Sequence, residues 1–258
     1  MSGTAKIISP IDGSVYAERP FLSEAAVASA VAAARDAQSG WAQLNITERA
    51  RYCQAALDAL AGMQEEIVPE LAWQMGRPTR YGGENGGVQE RGQYMIDIAE
   101  EALKPYVPAQ KDGFRRYVKH LPLGVVLVIA PWNYPYLTAV NTIIPALMAG
   151  NAVILKHATQ TLLAGERFAK AFEMAGLPKG VFQNIVLDHA STEKLLASGA
   201  IDHVNFTGSV GGGRAIEKAS AGTFMSLGFE LGGKDRAYDL RDVNLDHAVA
   251  NLVDGAFF

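Results

Sequence analysis

Cysteine is nearly absent from this chain. The single Cys53 excludes an internal disulfide framework and any cysteine-based zinc cluster. The five histidines (His120, His157, His189, His203, His247) are scattered, with no pair at metal-ligand spacing, so no metal site is expected. An excess of positive charge is also missing. The 23 basic residues face 27 acidic ones for a net charge of −4, and no Lys/Arg cluster resembles a phosphate-tracking patch, so nucleic acid is not an expected partner. The first residues, MSGTAKIISP, lack a basic start leading into an apolar run. No signal peptide is indicated, and a cytoplasmic enzyme is the default. There is no repeat and no low-complexity tract. With 49% hydrophobic and 19% charged residues over 258 positions, the composition is that of a globular protein of one or two domains.

One stretch has no charge at all. Leu121 to Leu155 is long enough to raise the question of a membrane span, since about 20 apolar residues suffice. Four prolines (Pro122, Pro131, Pro135, Pro145) and the polar break Trp132-Asn133-Tyr134 exclude a single helix. The run reads as one buried βαβ unit. Val125–Ala130 is a strand covered on both faces, 131–135 a stiff loop, Tyr136–Ala149 a packed helix stopped at Gly150-Asn151, and Ala152–Leu155 a second strand delivering Lys156 to its end. Ligands of open parallel sheets sit at such C-terminal ends, which places Asn133 and Lys156 on one rim.

The residues before this unit read as an arm and a helical flank. A hairpin is expected over Ile7–Phe21, turning at Asp12-Gly13. Helices follow over Ser23–Ser39, closed by Gly40, and from the capping box Asn45-Ile-Thr-Glu48 to about Gly62. Two more are expected over Glu65–Met75 and Gly87–Leu103, then a linker 105–114 and a strand Arg115–Leu121 pairing away from the main sheet. Cys53 falls inside a helix among apolar neighbours and reads as a core thiol. After Lys156 the alternation continues: helix 161–175, strand 182–186, helix 191–197, strand 203–206, a Gly-rich turn and a helix to Ala219, strand 225–231, and a last helix capped by Asn244. Strands alternating with helices predict an α/β fold: a Rossmann-like parallel sheet with flanking helices, plus a helical N-terminal flank. The division predicted is 1–120 for arm and flank, with oligomerisation strands in 106–121, and 121–258 for the dinucleotide-binding domain.

Two stretches carry chemistry. Phe206-Thr-Gly-Ser-Val-Gly-Gly-Gly213 follows a strand and opens a helix, where backbone N–H groups suit a pyrophosphate; tight strand-to-helix packing alone would also produce it. Its glycine spacing is not G-x-G-x-x-G. Phe229-Glu-Leu-Gly-Gly-Lys-Asp235 puts an acid at the end of an apolar strand. Glu230 there is either paired with a lysine at a domain edge or a general base poised by apolar neighbours.

Pro131-Trp-Asn-Tyr-Pro135, Phe206-Thr-Gly-Ser209 and Glu230-Leu-Gly-Gly-Lys234, in this order and spacing, resemble the aldehyde dehydrogenase superfamily. The resemblance covers nearly the whole chain. It implies NAD or NADP as cofactor, a small-molecule aldehyde as substrate and a homo-oligomeric assembly. It also implies roles. Asn133 matches the asparagine whose amide holds the developing oxyanion, and Glu230 the glutamate that activates water to hydrolyse a thioester. Lys156 matches the lysine on the adenosine ribose, Ser209 the serine beside the pyrophosphate, Gly208 and Gly213 the turn glycines. Ile129 and Trp132 match residues lining the cofactor cleft, and Thr159, Phe206, Leu231 and Gly232 complete the expected cofactor set. In the implied reaction a cysteine thiolate attacks the aldehyde, hydride leaves for the nicotinamide, and water releases a carboxylic acid.

The match departs in four places. The nucleophilic cysteine should follow the glutamate by a few dozen residues in a run Asn-x-Gly-Gln-x-Cys; only 28 residues follow Glu230, ending Ala256-Phe257-Phe258, and none is cysteine. Cys53 aligns with an N-terminal helix and cannot replace it. The chain is therefore expected to be truncated before the nucleophile segment, without a catalytic domain, or to have lost the chemistry and kept a dinucleotide-binding or interaction module with an exposed apolar end. The truncation also puts the homo-oligomer in doubt. Arg236 and Asp239 stand where a proline and an apolar residue are usual. Thr159 stands where many NAD-preferring relatives carry a ribose-binding glutamate. Losing that carboxylate removes repulsion against a 2′-phosphate, so NADP should be accepted. A glycine that relatives use near the adenine is missing after Asn184, with Asp188 nearby instead.

Overall fold

The structure, a computed structural model, describes residues 3–234 and 236–257. Asp235 and the expected exposed aromatic pair at 257–258 lie outside the residues whose side chains are described. The uncharged run folds as the βαβ unit expected. Strand β3 (Val125–Ala130) is buried at all six positions, α6 spans Pro135–Met148, and β4 spans Ala152–His157, also buried throughout. β4 therefore runs two residues beyond the expected Leu155, and Lys156 lies within the strand.

Numbered along the whole chain, an antiparallel hairpin comes first, β1 (Thr4–Ile8) and β2 (Val15–Pro20), turning through Gly13 at φ 76°. Helices α1 (Glu24–Trp41), α2 (Ile46–Ala61), α3 (Gln64–Met75), α4 (Asn85–Asp97) and the short α5 (Ala99–Ala102) follow. The later half adds α7 (Leu162–Met174), β5 (Phe182–Asn184), α8 (His189–Ala197), β6 (His203–Gly208), α9 (Val210–Ala219), β7 (Ser226–Leu231) and α10 (Leu245–Phe257).

Five strands form one parallel sheet in the order β5-β4-β3-β6-β7. Successive residues of β3 point to opposite faces, and each face meets its own helices. Val126 and Val128 pack with Leu57, Ile143, Leu147 and Phe168 of α2, α6 and α7. Val125, Leu127 and Ile129 pack with Val31, Leu196 and Ile216 of α1, α8 and α9. That double cover explains why β3 reads as a continuous apolar run rather than an alternating one.

The capping box forms as read: Asn45 Oδ1 accepts from Glu48 N at 2.9 Å, and Glu48 Oε2 accepts from Asn45 N at 2.8 Å. Asn45→Ala is expected to lower stability by about 1 kcal/mol in urea melts, the usual value of such a cap.

Three expectations fail locally. Gly40 does not close α1, which continues to Trp41 because the indole is buried and donates to Leu147 O at 3.0 Å. The expected helix 87–103 is broken at Ile98 into α4 and α5. Arg115–Leu121 forms no strand. Among the described residues it has only the bridge Tyr106↔Val118, with hydrogen bonds of 2.9 and 2.8 Å, and a second bridge Lys111↔Phe114 precedes it. A strand needs a hydrogen-bonded neighbour along its length, and among the described residues 115–121 is paired at Val118 alone.

Candidate active site at the strand ends

The sheet order turns on β3: the chain goes outward to β4 and β5, then returns to place β6 on the other side of β3. Such a reversal leaves a crevice beyond the strand ends. A cleft of about 750 Å³ occupies it. Ile129, Trp132 and Asn133 enter from β3 and its loop, Lys156 and Thr159 from β4 and its 3-10 turn, Phe206, Gly208 and Ser209 from β6, and Glu230, Leu231 and Gly232 from β7. Eleven of the twelve residues singled out from sequence therefore line one cleft. Gly232 N donates to Gly208 O at 2.9 Å, which ties the ends of β7 and β6 together.

Gly213 is the exception. It sits behind the cleft under Leu231, whose side chain would lie 2.8 Å from a Cβ at 213. Gly212 lines the cleft instead. Of the two reasons for these glycines, packing is the one supported at 208 and 212. A Cβ at Gly208 or at Gly212 would stand 2.6 or 2.7 Å from the Phe206 ring. Those two positions make room for that ring, which packs edge-on against Phe229 at a centroid distance of 6.4 Å. Only the N-terminal turn of α9 stays open. Ser209 caps it, Oγ accepting from Gly212 N at 3.1 Å, and a Cβ at Gly211 would meet nothing closer than that Oγ, 4.0 Å away.

The electrostatics of the cleft centre on Lys156. Only 7% of it is exposed, and its ammonium has no hydrogen-bond or ion-pair partner among the described residues. Burial pushes its pKa below the ordinary lysine value, while the charge of Asp188 pulls it back. Asp188 itself caps α8, accepting from Ser191 N at 2.7 Å. The neighbouring His157 faces the other side of β4 and belongs to the core, not the cleft.

Glu230 lies exposed at the end of the edge strand β7. The apolar enclosure expected around its carboxylate is not formed among the described residues, because no further strand covers β7. The side-chain amide of Asn133 projects from an exposed residue and makes no hydrogen bond among the described residues. Cys53 lies in α2, fully buried, its thiol pushed up to about 12 by desolvation.

Sequence reading missed one wall. His189, Thr192, Glu193 and Leu196 of α8 line the cleft at spacing i, i+3, i+4, i+7, a single helical face. The spacing was there to find, but nothing local says which face of α8 meets a ligand. Among the described residues, no His/Cys/Asp/Glu group is placed to hold a metal ion, and no helix is long and apolar enough to cross a membrane.

The aldehyde dehydrogenase family model matches residues 1–258. The NADP-dependent glyceraldehyde-3-phosphate dehydrogenase of Streptococcus equinus is 35% identical over 263 aligned residues, covering 98% of this chain and 54% of that protein. An NAD-dependent benzaldehyde dehydrogenase from Corynebacterium glutamicum superposes with a TM-score of 0.92 at 30% identity, over 100% of this chain and 56% of that one. The NADP complex of a glyceraldehyde-3-phosphate dehydrogenase from Bacillus halodurans superposes with a TM-score of 0.91 at 31% identity, over 99% of this chain and 55% of that one. The chain thus spans about half the length of each of these relatives.

Proposed function

The chain belongs to the aldehyde dehydrogenase family, and from that premise we propose that its cleft binds NAD or NADP and supplies the cofactor half of an aldehyde oxidation to a carboxylic acid. The observation that carries the reading is Lys156, whose side chain is largely buried in the cleft wall while its ammonium opens to the cleft with no hydrogen-bond or ion-pair partner among the described residues. A partly desolvated cation with no protein acceptor is ready for an anionic or hydroxyl group of a ligand to complete it. The open first turn of α9 offers backbone N–H groups and the positive end of a helix, which suits a pyrophosphate. The cleft volume also suits a ligand of that size.

When bound, the nicotinamide supplies the hydride acceptor. The residues of this chain do the rest of what the reading asks. Lys156 and Ser209 hold polar groups of the dinucleotide, Ile129, Phe206 and Leu231 give it an apolar bed, and Trp132 and Gly232 shape the mouth. Asn133 offers a fixed N–H donor to an oxygen on which negative charge develops, an interaction of about 3 to 4 kcal/mol in comparable sites. Glu230 accepts a proton from water. The division of the chain into a flank 1–120 and a dinucleotide-binding part 121–258 belongs to the same reading, as does association through the exposed Tyr106, Phe114, Tyr117 and Val118 of segment 106–121.

One observation favours a second reading, binding without turnover. The nucleophilic thiolate has no counterpart near Asn133: Cys53 is buried in α2 with its thiol pushed up to about 12. The two readings separate in one experiment. NADPH and NADH titrations followed by tryptophan fluorescence are expected to quench the parent and to lose that response in Trp132→Phe. NAD(P)H absorbance with a panel of aldehydes then reports turnover. Quenching with no turnover selects the binding module; turnover selects the enzyme; no quenching removes both. Because Thr159 stands in place of a carboxylate, NADPH is expected to bind at least as tightly as NADH. A clear NADH preference would reject that point.

A further inference from the structure

The loop that carries Trp132 and Asn133 has little capping chemistry of its own. Tyr134, at the N-cap of α6, makes no side-chain cap bond, and Pro135 has no N–H to offer. The next two N–H groups, of Tyr136 and Leu137, would be orphans. One carboxylate oxygen meets both from far upstream: Glu84 Oε2 accepts them at 3.1 and 2.7 Å, across 52 and 53 residues of sequence. The other oxygen takes Arg77 Nη1 at 2.7 Å. Arg77 then reaches past the pair, donating Nη2 to the carbonyl of Asn133 at 3.0 Å, and its guanidinium lies 4.9 Å from the Tyr134 ring centroid. From the opposite side His157 Nε2 lies 3.1 Å from Pro135 O.

The loop is therefore gripped at five consecutive residues, 133 to 137, by groups from outside it. The side chains of Glu84 and Arg77 are 3% and 12% exposed. Glu84 also holds a left-handed backbone, φ 65°, a conformation that L residues rarely adopt. Glycine would relieve that strain but has no carboxylate. A buried ion pair and a strained backbone are together spent on one short loop, and that loop presents Asn133 to the cleft.

We propose that Glu84 and Arg77 are positioning residues for the Asn133 amide, fixing the backbone from which it enters the cleft. Their catalytic meaning rests on Asn133 being the oxyanion donor; the positioning itself does not. Arg77→Lys is the discriminating variant. A lysine can still pair with Glu84, but it lacks the planar fork that reaches a second acceptor and stacks on Tyr134. Glu84→Gln is the companion change, which keeps the shape and removes the charge.

The test is carried out on the full chain labelled with ¹⁵N. The side-chain NH₂ of Asn133 and the indole N–H of Trp132 are assigned with Asn133→Asp and Trp132→Phe. In Arg77→Lys both signals are expected to move or split, with the melting midpoint within about 4 °C of the parent. NADPH affinity is expected to fall several-fold with them. Glu84→Gln is expected to move the same signals further. Parent-like Asn133 and Trp132 signals in both variants would overturn the proposal and leave the pair a structural cap only. A parent chain that binds neither NADPH nor NADH would remove the cofactor reading, while the two amide signals would still decide the positioning claim.

Discussion

Lys156→Met is expected to weaken cofactor binding by about ten- to a hundredfold and, in the same protein, to raise the melting temperature. The two effects have one cause. Lys156 lies one residue from the end of β4, opposite Ile129 of β3, in a wall that leaves it 7% exposed. Desolvation lowers its pKa, and Asp188 offsets this only in part. The ammonium is therefore partly desolvated and has no hydrogen-bond or ion-pair partner among the described residues. Methionine keeps the length of the side chain and removes that penalty, so the unliganded fold gains. A ligand loses a charge-assisted hydrogen bond worth about 1.5 to 3 kcal/mol, which sets the size of the affinity loss. Calorimetric titration with NADP and NAD, beside thermal melts, reads both signs. Unchanged affinity with a raised melting point would mean that Lys156 touches no ligand, and the proposed cofactor site would fall with it. Reduced affinity with a lowered melting point would mean that the substitution damaged the wall.

The contrast between Lys156 and the glycines shows how much of the site the sequence carries. An apolar strand that ends in a lysine, followed by a second βα unit, puts the cation on the rim through local pattern alone. The capping box at Asn45 and the strand Val125–Ala130 were legible for the same reason: neighbours in sequence determine them. The sheet order was not legible. Nothing inside β6 says that it returns to the far side of β3 rather than extending beyond β5, because that choice is made by α8 and α9 packing on the face that Leu127 and Val204 present. Of the turn glycines read from sequence, Gly208 lines the cleft and Gly213 does not, and it is packing, the second of the two explanations offered for them, that the Phe206 ring supports at 208 and 212. A ring two to six residues away is close in sequence, yet its rotamer depends on Phe229 of another strand. Glu84 was invisible altogether, because the helix it caps lies more than 50 residues away. The expected strand 115–121 failed from the same gap. Its residues favour a strand, but pairing is supplied from elsewhere or not at all.

Acid is expected to destabilise the chain through one histidine by on the order of 3 kcal/mol between pH 6.5 and 4. His157 ends β4 on the core side, 5% exposed, with Nε2 donating to Pro135 O at 3.1 Å and Nδ1 within 3.3 Å of Thr161 Oγ1. The ring therefore sits neutral, one nitrogen a donor and the other an acceptor. Desolvation lowers its pKa from 6.5 to about 4; the Pro135 and Ala158 backbone resist this, and the charge of Lys156 adds to it. Between those two values the unfolded chain binds a proton that the folded chain refuses. Stability is thus complete above pH 6.5 and drains away as pH falls toward 4, at about 1.4 kcal/mol per unit. His157→Gln keeps a donor for Pro135 O and has no proton to gain. Urea melts at pH 7, 6, 5 and 4.5 are expected to show the parent losing stability faster than this variant once the pH falls below about 6.5. The difference between the two isolates His157 from the carboxylates and from His203, whose pKa burial also lowers. The consequence reaches the cleft, since Pro135 opens α6 directly after the Asn133 loop: acid should loosen that loop before the sheet itself gives way. Parallel stability curves for parent and variant would show that His157 is not held neutral, and that the grip on Pro135 does not depend on its protonation.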